Sequence, residues 1–240
     1  MGKLDWFKNW FNTPFYHILY KDRNDEEAKK FIERIMTFLA MPKEVHILDI
    51  PCGKGRHSKY LNSLGYKVTG ADLSNKSIQF AKKFENETLS FDVHDIRNRF
   101  TNQYDIILNL FTSFGYFNQE NNIQVLKNIK NGLQSNGKFV LDFMNASYVK
   151  DHLVTNEIKV VDNIPFVIFR EITNGEILKH ISFQHEGKQY HFTENVKYLD
   201  FSTLQSMLIE AGFTIDAVFG DYQLNSFNES SSERLIFVAR

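Results

Sequence analysis

Cysteine is almost missing: the 240 residues contain one, Cys52. A disulfide framework within the chain is thereby excluded, and the usage suits a reducing, cytoplasmic compartment. Neither sign of charge is in surplus, since 28 Lys and Arg stand against 29 Asp and Glu for a formal net charge of −1. Nucleic-acid binders need a clustered positive footprint, so this balance argues against RNA or DNA as partner. Long apolar runs are missing too. The opening MGKLDWFKNWFNTPFYHILYKDRN interrupts its aromatics with charges, a pattern of neither a signal peptide nor a membrane span. Repeats and low-complexity tracts are absent. What is present, 42% hydrophobic and 24% charged residues, is ordinary for a soluble globular chain long enough to bury one large core.

The rhythm of the chain predicts three parts. Residues 1–44 read as helical: Thr13-Pro14 opens a short aromatic helix to Tyr20. Asn24 with Glu27 makes a capping-box start for a helix to about Ala40. In that helix Ala28, Phe31, Ile32, Ile35, Phe38 and Leu39 recur at helical spacing as a packing face. Residues 45–156 and 200–240 alternate short apolar strands with helices, including an Asn136-Gly137 turn into KFVLDFM. Such βα units predict a doubly wound α/β sheet. Residues 157–199 are strand-only, with hairpin signals at Asn174-Gly175 and Glu186-Gly187. They read as an inserted antiparallel β cap. Its hairpins put Phe166, Ile168, Ile181, Phe183, Tyr190 and Phe192 on one face; Val167, Phe169, His180, Ser182 and His191 share the other.

The stretch ILDIPCGKGRH, residues 47–57, is a strand ending, a glycine turn and a helix start. It can cradle a ligand at the carboxyl edge of a sheet. A dinucleotide loop would carry a third glycine where Ser58 stands. Asp49, before the glycines, would repel a pyrophosphate but tolerate a sulfonium and a zwitterion. Asp72 ends the second strand, where an acid can take ribose hydroxyls. Asp95 follows the third, where a carboxylate can meet an adenine amino group while Ile96 N–H meets a ring nitrogen. Three carboxylates at three successive strand ends line one crevice if the sheet is parallel.

The residues ILDIPCGKGRHSKYLNSLGYKVTGADLS, DVHDIR, YDIILNLFTSFGYF and LQSNGKFVLDF resemble the class I S-adenosylmethionine-dependent methyltransferases. The tail AGFTIDAVFGD with SERLIFVAR resembles that family's closing strand pair. The resemblance implies a Rossmann-like, seven-stranded sheet with an antiparallel last strand, and S-adenosyl-L-methionine as cofactor. It also implies that Asp49 and the loop backbone of Pro51, Gly53 and Gly55 hold the methionine part. Asp72 then takes the ribose, Leu73 packs on the adenine, Asp95 and Ile96 read its edge, and Leu110 offers its carbonyl to the methionine amine. Pro51 departs from the commonest loop, which has glycine there.

Further candidates surround this loop. Cys52 is either a small loop filler or a reactive thiol; Arg56 is either a partner for Asp49 or the methionine carboxylate, or a solvated first-turn cation. The N-terminal aromatics make a lid or a partner-docking patch. In the lid reading Tyr16, His17, Tyr20 and Arg23 come nearest the ligand, and Phe111, Phe114 and Tyr116 line the transfer site. His180, His185 and His191 lack an acid at ligand spacing, so no metal site is expected. Candidates for a substrate-side base are Tyr16, His17, Tyr116 and His191. The expected function is N- or O-methylation of a small molecule by in-line methyl transfer. Its rivals are an RNA or protein methyltransferase, and a non-catalytic S-adenosylmethionine-binding protein that docks partners through its aromatic N-terminus.

Overall fold

The computed structural model of the chain describes residues 6–21 and 25–240. Buried apolar segments rich in β-branched residues form five strands in the first part: β1 (His46–Asp49), β2 (Lys67–Asp72), β3 (Leu89–Val93), β4 (Tyr104–Asn109) and β5 (Leu133–Met144). Four more follow without a core helix between them: β6 (Asn156–Val161), β7 (Ile164–Thr173), β8 (Glu176–His185) and β9 (Lys188–Lys197). The chain closes with β10 (Ile215–Phe219) and β11 (Arg234–Ala239). One sheet has the order β10-β11-β5-β4-β1-β2-β3, and β6-β7-β8-β9 form a second. Strands β1 to β5 pair in parallel, whereas β11 runs antiparallel to both β5 and β10.

Strands buried on both faces need cover on both. Alternate residues supply it: Leu48, Ile107, Leu141 and Phe237 enter one core, and Ile47, Ile106, Val140 and Ile236 the other. Helices α3 (Asp25–Leu39), α4 (Arg56–Ser63) and α5 (Asn75–Ala81) serve the second face; α6 (Gln119–Asn131) and α8 (Phe201–Glu210) serve the first. Helix α7 (Ala146–Asp151) leads into the second sheet. That sheet turns Phe166, Ile168, Ile181 and Phe183 inward, where Trp10, Phe15 and Leu19 cover them. These three come from α1 (Trp6–Phe11) and α2 (Pro14–Leu19), the latter capped by Thr13 Oγ1 accepting from Tyr16 N. The second sheet and the N-terminal helices thus share a core of their own.

Several expectations shift in detail. The Asn24 cap lies outside the described residues. Phe38 is 46% exposed and Met36 takes the buried place on α3; the Phe38 ring meets Phe219 at the rim, edge-on at 5.0 Å. The Asn136-Gly137 turn is a bulge inside β5: Tyr104 pairs with Leu133, but Ile106 already pairs with Lys138. The first cap hairpin turns on Asp162 and Asn163, both with positive φ, and so carries no glycine signal.

Candidate active site

The carboxyl ends of β1, β2 and β4 open into a cavity of about 550 Å³, within the size range of small-molecule sites. At its floor the loop after β1 is fixed by backbone bonds. Cys52 N donates to Ala71 O at 2.8 Å, and Gly53 N donates to Asp72 Oδ2 at 2.8 Å. Asp72 Oδ1 accepts from Ser74 N at 2.8 Å. Burial raises the Asp72 pKa, while these two amides act against the rise. Gly53 has φ +55° and nothing within 4 Å of the place a Cβ would occupy, so its bare backbone faces open space.

Two residues, one ending β1 and one in the loop, work from behind. Asp49 is 1% exposed and does not line the cavity; its Oδ2 accepts from Ser58 Oγ at 2.5 Å. Burial is the largest reason its pKa is pushed up to about 7. Ser58, where a third glycine was missing, is therefore its partner. Gly55 precedes α4 with φ +80°, and a Cβ there would stand 2.7 Å from the Phe91 ring. It too is absent from the lining. Asp49 is thus capped by Ser58 beneath the loop, and Gly55 is held against Phe91 by packing; neither stands on the cavity wall. Cys52 does border the cavity. Burial and then the charges of Asp49 and Asp72 raise its thiol pKa well above the usual range, which leaves a protonated loop filler and no thiolate.

The next strand ends add Leu73, Asp95 and Ile96 to the wall. Arg97 forks onto Asp95, Nε to Oδ1 at 2.9 Å and a terminal nitrogen to Oδ2 at 2.5 Å; that pairing holds the carboxyl below its ordinary range. After β4 come Leu110 and Phe111, with the His57 ring stacked on Phe111 at 4.9 Å and the Arg56 guanidinium 5.0 Å from it. Arg56 thus lies over an aromatic ring at the cavity edge.

The N-terminal helices form the opposite wall. Tyr16, His17 and Tyr20 line the cavity, as do Trp6 and Phe11. Tyr116 lines it from below, its hydroxyl donating to Thr112 O at 2.9 Å and its ring 5.2 Å from Trp6. Buried Trp6 Nε1 has no hydrogen-bond partner among the described residues. Arg23 lies outside them. His191 is overturned as a substrate-side base: it sits exposed on the outer face of the second sheet, its Nδ1 3.0 Å from Ser182 Oγ. Among the described residues no group of three or more His, Cys, Asp or Glu could hold a metal.

Sequence reasoning missed Glu194. It enters the cavity from β9, accepting from Trp10 Nε1 at 2.7 Å and from the Tyr20 hydroxyl at 2.7 and 2.8 Å. A signal existed: Glu194 continues the apolar face of Tyr190 and Phe192 at two-residue spacing. Asp142 and Arg234, behind the Phe111 wall, left no local signal.

A parallel sheet with one reversed strand beside β5, and a cavity across β1, β2 and β4 edged by acids at two successive strand ends, define an α/β fold with a ligand crevice at its carboxyl edge. Residues 47–137 match a family model described as a methyltransferase domain. The putative methyltransferase YqeM of Bacillus subtilis is 25% identical over 84% of this chain and 86% of its own length. A solved S-adenosylmethionine-dependent methyltransferase from Clostridium acetobutylicum shares the fold with a TM-score of 0.79 at 18% identity, covering 94% of this chain and 95% of that one. CalS10, an amino pentose methyltransferase from Micromonospora echinaspora solved with SAM bound, gives 0.71 at 16%, covering 95% and 96%. Residues 47–137 are thus a methyltransferase domain, carried on the fold of the solved S-adenosylmethionine-dependent methyltransferases.

Proposed function

We propose that the protein methylates a small molecule at nitrogen or oxygen inside this cavity. The observation that carries the reading is the roof: α1, α2 with the Tyr20 that follows it, and β9 face the floor across the cavity with Trp6, Phe11, Tyr16, Tyr20 and Glu194. A chamber walled in this way suits a compact acceptor better than a polymer. The amino pentose methyltransferase CalS10, similar in fold, supports the same class of acceptor. The aromatic N-terminus is not a display surface, since Trp10 is 1% and Phe15 9% exposed against the second sheet.

The residues fit S-adenosylmethionine. When bound, the cofactor supplies a methyl group on a sulfonium. Asp72 takes the ribose hydroxyls with the lone pairs that Gly53 and Ser74 leave. Leu73 packs on the adenine, with Asp95 and the Ile96 amide at its edge. The backbone of Pro51 to Gly53 and the Leu110 carbonyl hold the methionine end, with Arg56 toward its carboxylate. Trp6, Phe111 and Tyr116 position the acceptor and exclude water. Rate enhancement then comes mainly from holding nucleophile and methyl group in near-attack geometry. A base is required only for an acceptor that arrives protonated, and Tyr16, His17 and Tyr116 border the chamber for that task.

Two measurements test this. Labelled cofactor incubated with a whole-cell extract is expected to label a low-molecular-weight product; label recovered only in RNA or protein overturns the acceptor class. Calorimetry with S-adenosylhomocysteine is expected to show Asp72→Ala losing at least ~1.5 kcal/mol, as for a hydrogen bond to a charged group. Unchanged affinity would remove Asp72 from the site.

A further inference from the structure

Phe111 and Thr112 leave β4 with φ of 57° and 58°. Residues with a Cβ avoid this left-handed region, and a β-branched threonine there is a genuine outlier. Two in succession persist only where the surroundings over-determine them.

Those surroundings centre on one buried carboxylate. Asp142 of β5 is 0% exposed. Its Oδ2 accepts from Phe111 N at 2.8 Å and its backbone carbonyl from Thr112 N at 3.0 Å. Arg234 of β11 forks onto Asp142 Oδ1, through Nε at 2.8 Å and a terminal nitrogen at 2.6 Å; the same terminal nitrogen reaches Thr112 Oγ1 at 3.0 Å. Tyr222 closes the group, its hydroxyl donating to Asp142 Oδ2 at 3.2 Å and its ring 5.3 Å from that of Phe111. Burial first, then the Asp142 charge, keeps that phenol protonated far above its ordinary range. Asp142 and Arg234 stay outside the cavity wall, which Leu110, Phe111, Thr112 and Ser113 form.

The geometry points to Asp142 and Arg234 as positioning residues: they hold Phe111 and Thr112 left-handed and so set where the Leu110 carbonyl and the Phe111 ring stand in the cavity. The inference rests on the proposed contact of Leu110 and Phe111 with the cofactor. Without Asp142 the two residues relax toward right-handed backbone, and the wall turns with them. Because β11 is the reversed strand and pairs antiparallel with β5, the last of the parallel set, the point where strand direction reverses supplies both halves of the clamp.

The test is a double-mutant cycle read by calorimetry with S-adenosylhomocysteine on the full chain. Asp142→Asn keeps the shape, removes the charge and is expected to weaken binding about tenfold, the scale of coupling within one network. Introduced into a Thr112→Gly background, the same substitution is expected to cost less than about threefold, since glycine takes the left-handed region unaided. A purely structural loss would be equal in both backgrounds, and equal losses, or none in the first, overturn the positioning role. Absence of binding by the unsubstituted chain overturns instead the cofactor site on which the inference rests. Should Asp142→Asn not fold, Arg234→Lys carries the same comparison, because lysine keeps the charge and loses the fork.

Discussion

Buried at the end of β1, Asp49 is the residue whose role moved furthest from its position in the sequence. The carboxylate before the glycines helped to reject a pyrophosphate, and that electrostatic argument needs an ionised group, which Asp49 becomes only as pH rises through about 7. Contact is another matter, because Ser58 caps the group beneath the loop. Its titration makes the arrangement measurable. The folded state holds the Asp49 proton up to about pH 7, whereas the unfolded chain releases it near the ordinary 3.8. Between those values the folded protein binds more protons, so this group's contribution to stability falls as pH rises. The full difference is on the order of 4 kcal/mol. Arg56 opposes the shift and Asp72 adds to it. Asp49→Asn should therefore gain stability relative to the unsubstituted protein from pH 4 to pH 7 and hold that gain above it. Urea midpoints at pH 5 and pH 8 check this; parallel profiles would mean that Asp49 is ionised in the fold throughout.

At the scale of elements, the N-terminal helices are held over the cavity by more than their aromatics. Glu194 ties α1 through Trp10 and the end of α2 through Tyr20, and Lys179 donates to the same Tyr20 hydroxyl at 2.6 Å. Glu194→Ala leaves the buried Trp10 indole donor without its acceptor, a loss of ~1–3 kcal/mol. Amide exchange over Trp6–Leu19 is expected to quicken at least about tenfold, with β1 to β5 unaffected; a uniform change across the chain would show that Glu194 fastens nothing in particular. This latch also marks where sequence reading stopped. The parallel core was legible because β1 to β4 are short apolar runs and acids stand at or just beyond the ends of β1, β2 and β3. Hairpin register likewise predicted the apolar face of the second sheet, since Ile181 does pair with Phe192 and Phe183 with Tyr190. Glu194 bonds residues 184 and 174 positions away, and Asp142 meets Arg234 across 92. No local period encodes such partners. His191 shows the opposite limit, for alternation placed it correctly on the outer face while its candidacy needed the inner one.

At the scale of the molecule, the cavity lies where the two faces of the large sheet and the core of the N-terminal helices meet. Its floor comes from Asp72 and Asp95, its roof from Tyr16 and Tyr20, so one ligand should stabilise both bodies. The chain has two tryptophans, Trp6 and Trp10, both in α1. Their fluorescence reports the roof, while far-ultraviolet dichroism reports mostly the sheet and helices of the core. S-adenosylhomocysteine at about 100 times its Kd stabilises the folded state by about 2.7 kcal/mol. For a chain of this size that corresponds to roughly 5–10 °C in the midpoint. Both signals are expected to shift together by that amount, because the ligand touches both walls. A shift in dichroism with the tryptophan transition left behind would show a ligand held by the floor alone. In that event α1 and α2 would be a neighbouring layer and no part of the binding site, and the walled chamber that argues for a small acceptor would lose one of its walls.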